Sequence, residues 1–434
     1  MRILVYSYNY YPEPIGIAPL MTELAEGLVA RGHQVRVVTA MPNYPERKIY
    51  PGYEGKLYKS EYRNGVEIER CFVAIRPKPG LLCRALLESS FSILSLIKAI
   101  GGWRPDVILS TSPSLTACLP VAVAKAFHRC PSVLSLQDIL PEAAVQTGLL
   151  TNPLAIKIFE KLEKFAYASA TRIGVISPSF TANLIDKAVP TQKIECISNW
   201  VNTNFITPRR KEDNAFRQAY GLHGKFVVLY SGNIARTQGV RTIIRAAAQM
   251  QSNSSVQFVI VGEKSQLQEL DQLRVELGVR NLLLLPFVSR QDLPEMLAAA
   301  DVSLVMQKQN VVGFNMPSKI QVIMASGRPI IASVPDHSAA AEAVTQSQCG
   351  IVTRSECPTA LAEAIQALYK DPQTTAAFGR KARQFALKNY SFDQALSAYE
   401  ALLRSVVTGH ANDVLPQPAN ARVTPNLVRP NLNR

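Results

Sequence analysis

The chain is poor in acid, poor in charge altogether, and has no long apolar run. Of its 434 residues 18% are charged, and 33 acidic residues stand against 47 basic ones, a formal net charge of +14. With 47% hydrophobic residues, such a chain buries cores and does not belong to the disordered, polar class. Its excess of base points to an anionic partner, such as a nucleotide or an anionic membrane surface. The basic residues are not gathered on any nucleic-acid reading motif, so a nucleic-acid partner is not expected. The seven cysteines are scattered, with no C-x-x-C pair and no Cys/His cluster. That argues against structural zinc and against a disulfide framework, and it suits a reducing, cytoplasmic compartment. The most apolar window, 85–100, contains Glu88 and Lys98 and is too short to span a bilayer. A strand-like Arg2-Ile-Leu-Val-Tyr-Ser opens the chain, which reads as no secretory signal. Walker A, a complete G-x-G-x-x-G and any Asp-x-Asp are missing. Cleavage of a nucleotide diphosphate through a divalent metal ordinarily calls for clustered carboxylates. A diphosphate leaving group would here be neutralised by helix N-termini and Arg or Lys instead, with no metal and no cofactor.

What is present is strand–helix alternation, twice. Short apolar strands alternating with helices predict parallel sheets covered on both faces. Residues 1–198 read as one doubly wound domain and 215–390 as a second. The polar, Pro-bearing stretch 199–214 reads as the linker. A last helix, 391–408, is expected to return to the first domain, and 409–434 reads as a disordered basic tail. Residues 41–80 mix tyrosine with Arg and Lys, and 78–104 reads as an amphipathic helix ending near Trp103. Such a helix serves either at a membrane interface or in the first domain's core.

The stretch Val227–Arg245 carries the strongest chemical signal. A buried strand, Val227–Tyr230, runs into a glycine-bearing turn, 231–239, and then a helix from Val240. Strand, glycine turn and helix N-terminus hold phosphate, because free N–H groups and the helix dipole point at the anion. Arg236 adds a charge inside the turn. Farther on, Ser318 is a natural N-cap and Lys319 sits in the first turn, an unfavourable place for a cation unless an anion compensates. Lys308 can add charge to the same site. Gly16 lies in the loop after the first strand, and Asp138 ends another strand; in doubly wound sheets these positions face the ligand crevice.

Taken together, YSYNYYPEPIGIAPL, GHQVRVVTAMPNYP, SLQDILPE, VVLYSGNIARTQGV, FVIVGE and MQKQNVVGFNMPSKIQVIMASGRPIIA resemble glycosyltransferase family 4, and within it the exopolysaccharide enzymes of the colanic-acid (WcaI-like) type. The resemblance spans nearly all of residues 1–405 and implies the GT-B fold: two Rossmann-like domains facing a cleft, with the C-terminal helix packed back on the first. It implies retaining, metal-independent transfer of a sugar from a UDP- or GDP-sugar to a lipid-diphosphate-linked glycan. It places Gly16 against the donor diphosphate, and Gly232, Asn233, Arg236 and Gln238 around it. Gly262 would lie by the nucleobase, and Ser318 and Lys319 by the phosphates and sugar. The sequence departs from the family pattern in three places. Asn233 and Gln238 are neutral where Arg and Lys are usual. Phe314 and Val322 replace a pair of glutamates. Gln137 replaces the His of a His-Asp pair, leaving Asp138. The expected setting is peripheral, on the inner face of the plasma membrane. Competing readings are a GT-B-type nucleotide-sugar epimerase and a family member that has lost activity and serves as an assembly partner.

Overall fold

The computed structural model describes residues 1–434 except 15, 77–80, 113–114, 147–149, 236, 311–316 and 410–434, and except the side chains of 81, 82, 84, 85, 143 and 146. Arg236, Phe314 and the expected tail beyond Gly409 therefore lie outside the described residues.

The first domain opens with β1 (Arg2–Tyr6), α1 (Ala18–Ala30), β2 (Gln34–Ala40), β3 (Tyr58–Arg63) and β4 (Val66–Cys71). It continues through α2 (Leu81–Ile100), β5 (Val107–Thr111), α3 (Cys118–His128), β6 (Ser132–Leu136) and α4 (Glu142–Gln146). It closes with α5 (Pro153–Ser169), β7 (Arg172–Val175), α6 (Pro178–Asp186) and β8 (Ile194–Cys196). The sheet order is β3-β4-β2-β1-β5-β6-β7-β8, parallel except for the β3–β4 hairpin. Near-continuous apolar runs such as Ile3–Tyr6 and Val107–Leu109 are buried because helices cover both faces. The hairpin was not anticipated. Its turn, Asn64-Gly65, takes positive φ at both residues (47° and 81°), the conformation Asn-Gly favours in two-residue hairpins.

The second domain runs α7 (Ala215–Ala219), β9 (Phe226–Ser231), α8 (Arg241–Gln249), β10 (Val256–Gly262), α9 (Lys264–Glu276) and β11 (Leu282–Pro286). Then come α10 (Leu293–Ala298), β12 (Val302–Met306), α11 (Lys319–Ala325), β13 (Ile330–Val334) and α12 (Ala339–Ser347). The domain ends with β14 (Gly350–Arg354), α13 (Pro358–Lys370) and α14 (Pro372–Asn389), and α15 (Phe392–Thr408) follows. Its all-parallel sheet has the order β11-β10-β9-β12-β13-β14. The chain steps from β9 outward to β11, then returns to the other side of β9 with β12. The carboxyl ends of β9 and β12 thus flank the topological switch point, where such sheets open a crevice.

Helix α15 leaves the second domain and docks on the first. Gly27 of α1 makes room for it: a Cβ there would lie 2.6 Å from the Phe392 ring. The Tyr399 hydroxyl and Ser135 Oγ share a hydrogen bond of 2.8 Å, and Glu400 accepts from Arg31 at 2.8 Å. The stretch between the domains is not a loose tether. Trp200 is buried and donates to Glu23 at 2.8 Å, and Glu23 lies 4.0 Å from Arg290 of the second domain.

The mix of base and tyrosine in 41–104 is largely structural. Lys59 sits 3.9 Å above the Tyr53 ring, Arg63 3.8 Å above Tyr11, and the fully buried Arg70 pairs with Glu61 at 2.5 Å. Trp103 carries Arg36 over its ring and donates to Glu67 at 3.0 Å. Of the two roles open to the 78–104 helix, α2 fills the core role on one side: Phe91, Ser95 and Ala99 are buried against the sheet.

Candidate active site

The switch point of the second sheet holds a cavity of about 450 Å³. Its polar lining is made by Ser231 at the end of β9, by Gly232, Asn233 and Gln238 from the turn that follows, and by Ser318 and Lys319. Its inner wall is apolar, with Leu293 and Leu297 of α10 and Val322 and Ile323 of α11. Val322, one of the two positions where the family resemblance implies a glutamate, gives this wall a methyl surface.

The turn has a defined shape. The Tyr230 hydroxyl donates to the Asn233 carbonyl at 2.7 Å, and the Ile234 N–H donates to Gln266 at 3.2 Å. Gly232 takes φ 134°, and a Cβ on it would lie 3.1 Å from Lys319 Nζ. Only glycine meets both demands without strain. From behind, the Lys308 N–H donates to the Thr237 carbonyl at 2.8 Å.

Lys319 is the electrostatic centre of the cavity. Its Nζ is buried, has no hydrogen-bond partner among the described residues, and sits 3.9 Å from the Tyr230 ring centroid. Burial lowers its pKa from 10.5 to about 7, because the charged form has lost its water and gained no carboxylate. Gln238 Oε1 and Ser303 Oγ are likewise buried without partners among the described residues. Three buried polar groups around one cavity without partners among the described residues carry a desolvation cost that hydrogen bonds from a polar ligand would offset.

The residues singled out from sequence separate into groups. Gly232, Asn233, Gln238, Ser318 and Lys319 converge on the cavity. Ser318 makes no side-chain cap, so its hydroxyl is not committed to α11. Lys308 and Gly262 do not line the cavity. Lys308 clasps the turn through its backbone, and a Cβ on Gly262 would lie 2.4 Å from Ile234, so its smallness serves packing. Gly16 belongs to the first domain and takes φ 72° in a loop pinned by Glu13, which accepts from the Asn43 and Tyr44 N–H groups at 2.8 and 2.9 Å. Asp138 follows β6. Ser112 Oγ accepts the Gln137 N–H at 2.8 Å, and the Gln137 side chain is held by Ser135 and Asn199. Surrounding protein desolvates the Asp138 carboxyl and lifts it to about 6; the residue as a whole is exposed, so water on its open side tempers the shift. Tyr230, Ser303, Leu293 and Leu297 were missed as site residues. In sequence they read as ordinary strand and helix interior; the juxtaposition of β9, β12 and α10 brings Ser303, Leu293 and Leu297 to the cavity, while Tyr230 does not line it but sits beneath Lys319 and holds the turn. Among the described residues no group of His, Cys, Asp and Glu is arranged to hold a metal ion.

Two parallel α/β domains, a linker with α15 crossing back, and a polar-lined cavity at the second switch point define a GT-B glycosyltransferase. Comparison with known proteins agrees. Residues 16–200 match the family model "Glycosyl transferase 4-like domain" and residues 212–385 match "Glycosyl transferases group 1". A protein of Escherichia coli K12 named for colanic acid biosynthesis, glycosyl transferase WcaI, is 30% identical over 334 residues, covering 75% of this chain and 82% of its own length. The Pseudomonas aeruginosa protein named glycosyltransferase WbjE is 27% identical, covering 78% of this chain and 85% of its own. Among solved structures, Anabaena HepE in complex with UDP superposes with a TM-score of 0.71 at 20% identity, over 93% of this chain and all of that one. The chain belongs to the family 4-like, group 1 glycosyltransferases of the GT-B fold.

Proposed function

We propose that the protein transfers a sugar, with retention at the anomeric carbon, from a nucleoside-diphosphate sugar (UDP or GDP) to a lipid-diphosphate-linked glycan in the synthesis of an exopolysaccharide. The observation that carries this is the orphaned Lys319 Nζ in the cavity at the second switch point. A diphosphate there gives the ammonium its missing partner and restores its charge. Gln238, Ser303 and Ser318 offer further hydrogen bonds. The name of the E. coli relative supports the polysaccharide assignment, and the UDP complex of HepE supports a nucleotide donor.

In the reaction, the bond from the anomeric carbon to the diphosphate oxygen breaks and its electron pair stays with the diphosphate. The acceptor oxygen bonds to the same face of that carbon and gives its proton to the departing phosphate. Lys319 stabilises the charge that develops on the leaving group, in a site shielded from water. In this reading Asp138, at a strand end of the first domain, orients the acceptor-side hydroxyls, and its raised pKa supports that role. We locate the enzyme in the cytoplasm, on the inner face of the membrane that holds its acceptor; net charge +14 and seven free cysteines support this. Val322 in the cavity wall favours one alternative, a member that binds donor and assembles with partners without turnover.

The test is sugar transfer or donor hydrolysis by the purified protein, with and without EDTA. Turnover unaffected by EDTA is expected. Turnover lost on chelation contradicts the metal-independent reaction, and donor binding without turnover in any condition favours the assembly partner.

A further inference from the structure

Helices α2, α3 and α5 lie side by side over one face of the first sheet, and each carries large exposed apolar side chains on its outer side as well as a buried inner one. A helix covering a sheet ordinarily turns polar residues outward. Here α2 exposes Ile93 and Ile97, four residues apart, with Ile93 67% exposed. Helix α3 exposes Leu119, Val123 and Phe127 at intervals of four, with Phe127 64% exposed, and its sequence CLPVAVAKAFH contains no acid. Helix α5 exposes Leu154 and Ile158, with Leu154 69% exposed. Pairs α2–α3 and α3–α5 are in contact, so the three stripes join into one surface. Contiguous apolar surface on this scale marks an interaction site.

The charge beside the stripes identifies the partner. Lys157, Lys161 and Lys164 are exposed along α5 at helical spacing, next to the Leu154–Ile158 stripe. Of the two acids on the same helix, Glu163 is buried against Lys187 and Glu160 is exposed, so three exposed lysines face one exposed carboxylate, and Arg129 is exposed where α3 ends. An apolar face edged by lysines matches the boundary between anionic headgroups and acyl chains. We propose that this outer face of α2, α3 and α5 is where the protein lies on an anionic lipid bilayer. That a membrane carries the acceptor belongs to the proposed function; the surface that meets it is the new element. Of the basic, aromatic stretch 41–104, only the α2 part belongs to this face; Lys59, Arg63 and Arg70 are engaged inside the domain.

The experiment is co-sedimentation of the full chain with vesicles of phosphatidylcholine, alone or mixed with phosphatidylglycerol. The parent is expected to bind the mixed vesicles and not the neutral ones. Lys157→Gln/Lys161→Gln/Lys164→Gln should weaken binding about a hundredfold. Ile93→Ser/Phe127→Ser/Leu154→Ser should weaken it about tenfold or more. Circular dichroism melting of both variants should match the parent, since every substituted side chain is exposed. The proposal is overturned if the parent ignores phosphatidylglycerol vesicles, if both variants bind as the parent does, or if the apolar variant turns a parent dimer into a monomer in ultracentrifugation, which makes the face a contact between copies. Binding is read without turnover, so failure here leaves the transferase reading standing. Vesicle binding without any sugar transfer counts against that reading alone.

Discussion

Lys319 Nζ lies 3.9 Å from the centre of the Tyr230 ring and has no hydrogen-bond partner among the described residues. The ring's electron-rich face gives partial compensation for the ammonium, but much less than a hydrated or paired cation receives. The protein thus holds a lysine whose charge is costly until an anion arrives. Donor binding is then linked to protonation. With the Lys319 pKa near about 7 in the free protein, the lysine is largely neutral at higher pH and must take up a proton when a diphosphate binds. The dissociation constant for UDP or GDP should be nearly flat below about pH 7 and rise about tenfold per pH unit above it. Calorimetric titrations in two buffers of different ionisation enthalpy should report net proton uptake at pH 8.

The same group sets a stability trend in the free protein. Its folded pKa lies below its unfolded value of 10.5, so the unfolded chain binds more protons between about 7 and 10.5. This contribution therefore makes the protein more stable as pH rises through that window. Lys319→Met removes the buried amine and should raise the ligand-free thermal midpoint, by about 1 kcal/mol of stability at neutral pH, while flattening the trend. Thermal melts of parent and variant at pH 7 and pH 9.5 check this.

Gly232→Ala brings a Cβ to 3.1 Å from Lys319 Nζ and puts a side chain on a backbone with φ 134°. It should cost about 1–3 kcal/mol and weaken nucleotide binding by displacing the lysine. Gly262→Ala drives a Cβ into Ile234 and should destabilise the turn similarly, but by way of packing. Urea melts with and without UDP separate the two: only Gly232→Ala should lose affinity out of proportion to stability.

Asp138→Asn tests the first domain's share in the chemistry. Its carboxyl, lifted to about 6 by desolvation, is ionised at neutral pH and loses its charge as pH falls through that value. Activity of the parent should fall on the acid side near pH 6. The variant should lose that limb and about a hundredfold in kcat, with donor affinity unchanged. A pH–rate profile of both proteins is the measurement.

Glu400 fastens α15 to the first domain. Burial alone would raise its carboxyl, but hydrogen bonds from Arg31, Arg404 and His33 outweigh that and hold it at about 2. Its stabilising contribution is present above the usual carboxylate range and is lost as pH falls toward about 2. Glu400→Gln should cost about 1–2 kcal/mol at pH 7 and reduce the acid sensitivity between pH 4.5 and 2.5, seen in acid titrations followed by circular dichroism.

The alternation of the chain was legible because parallel strands buried on both faces leave short, unbroken apolar runs. The β3–β4 hairpin was not, since Lys59, Glu61 and Arg63 hide its alternation behind charges that pair inside the domain. Helix α12 was missed as well; its buried face is made of small alanines after the Ser338 cap, a weak apolar signal. At the site, Gly232 and Lys319 could be picked out because a glycine turn and a cation in a helix's first turn each break a local preference. Tyr230 and Leu293 break none. Their roles arise only when α10 and α11 are brought against β9, which depends on the tertiary arrangement and on no local pattern. The contacts of Lys308 and Gly262 with Thr237 and Ile234 were not legible, because those neighbours come from the folded turn.

The central claim is that the cavity between β9 and α11 takes a nucleoside diphosphate through Lys319. Calorimetric titration of UDP and GDP into the parent and into Lys319→Met, at pH 7, tests it most directly. The account predicts saturable binding of at least one of the two by the parent, and a loss of about tenfold to a hundredfold in a variant that is folded and no less stable. Equal affinity in the two proteins, or no binding of either nucleotide to the parent, would contradict it.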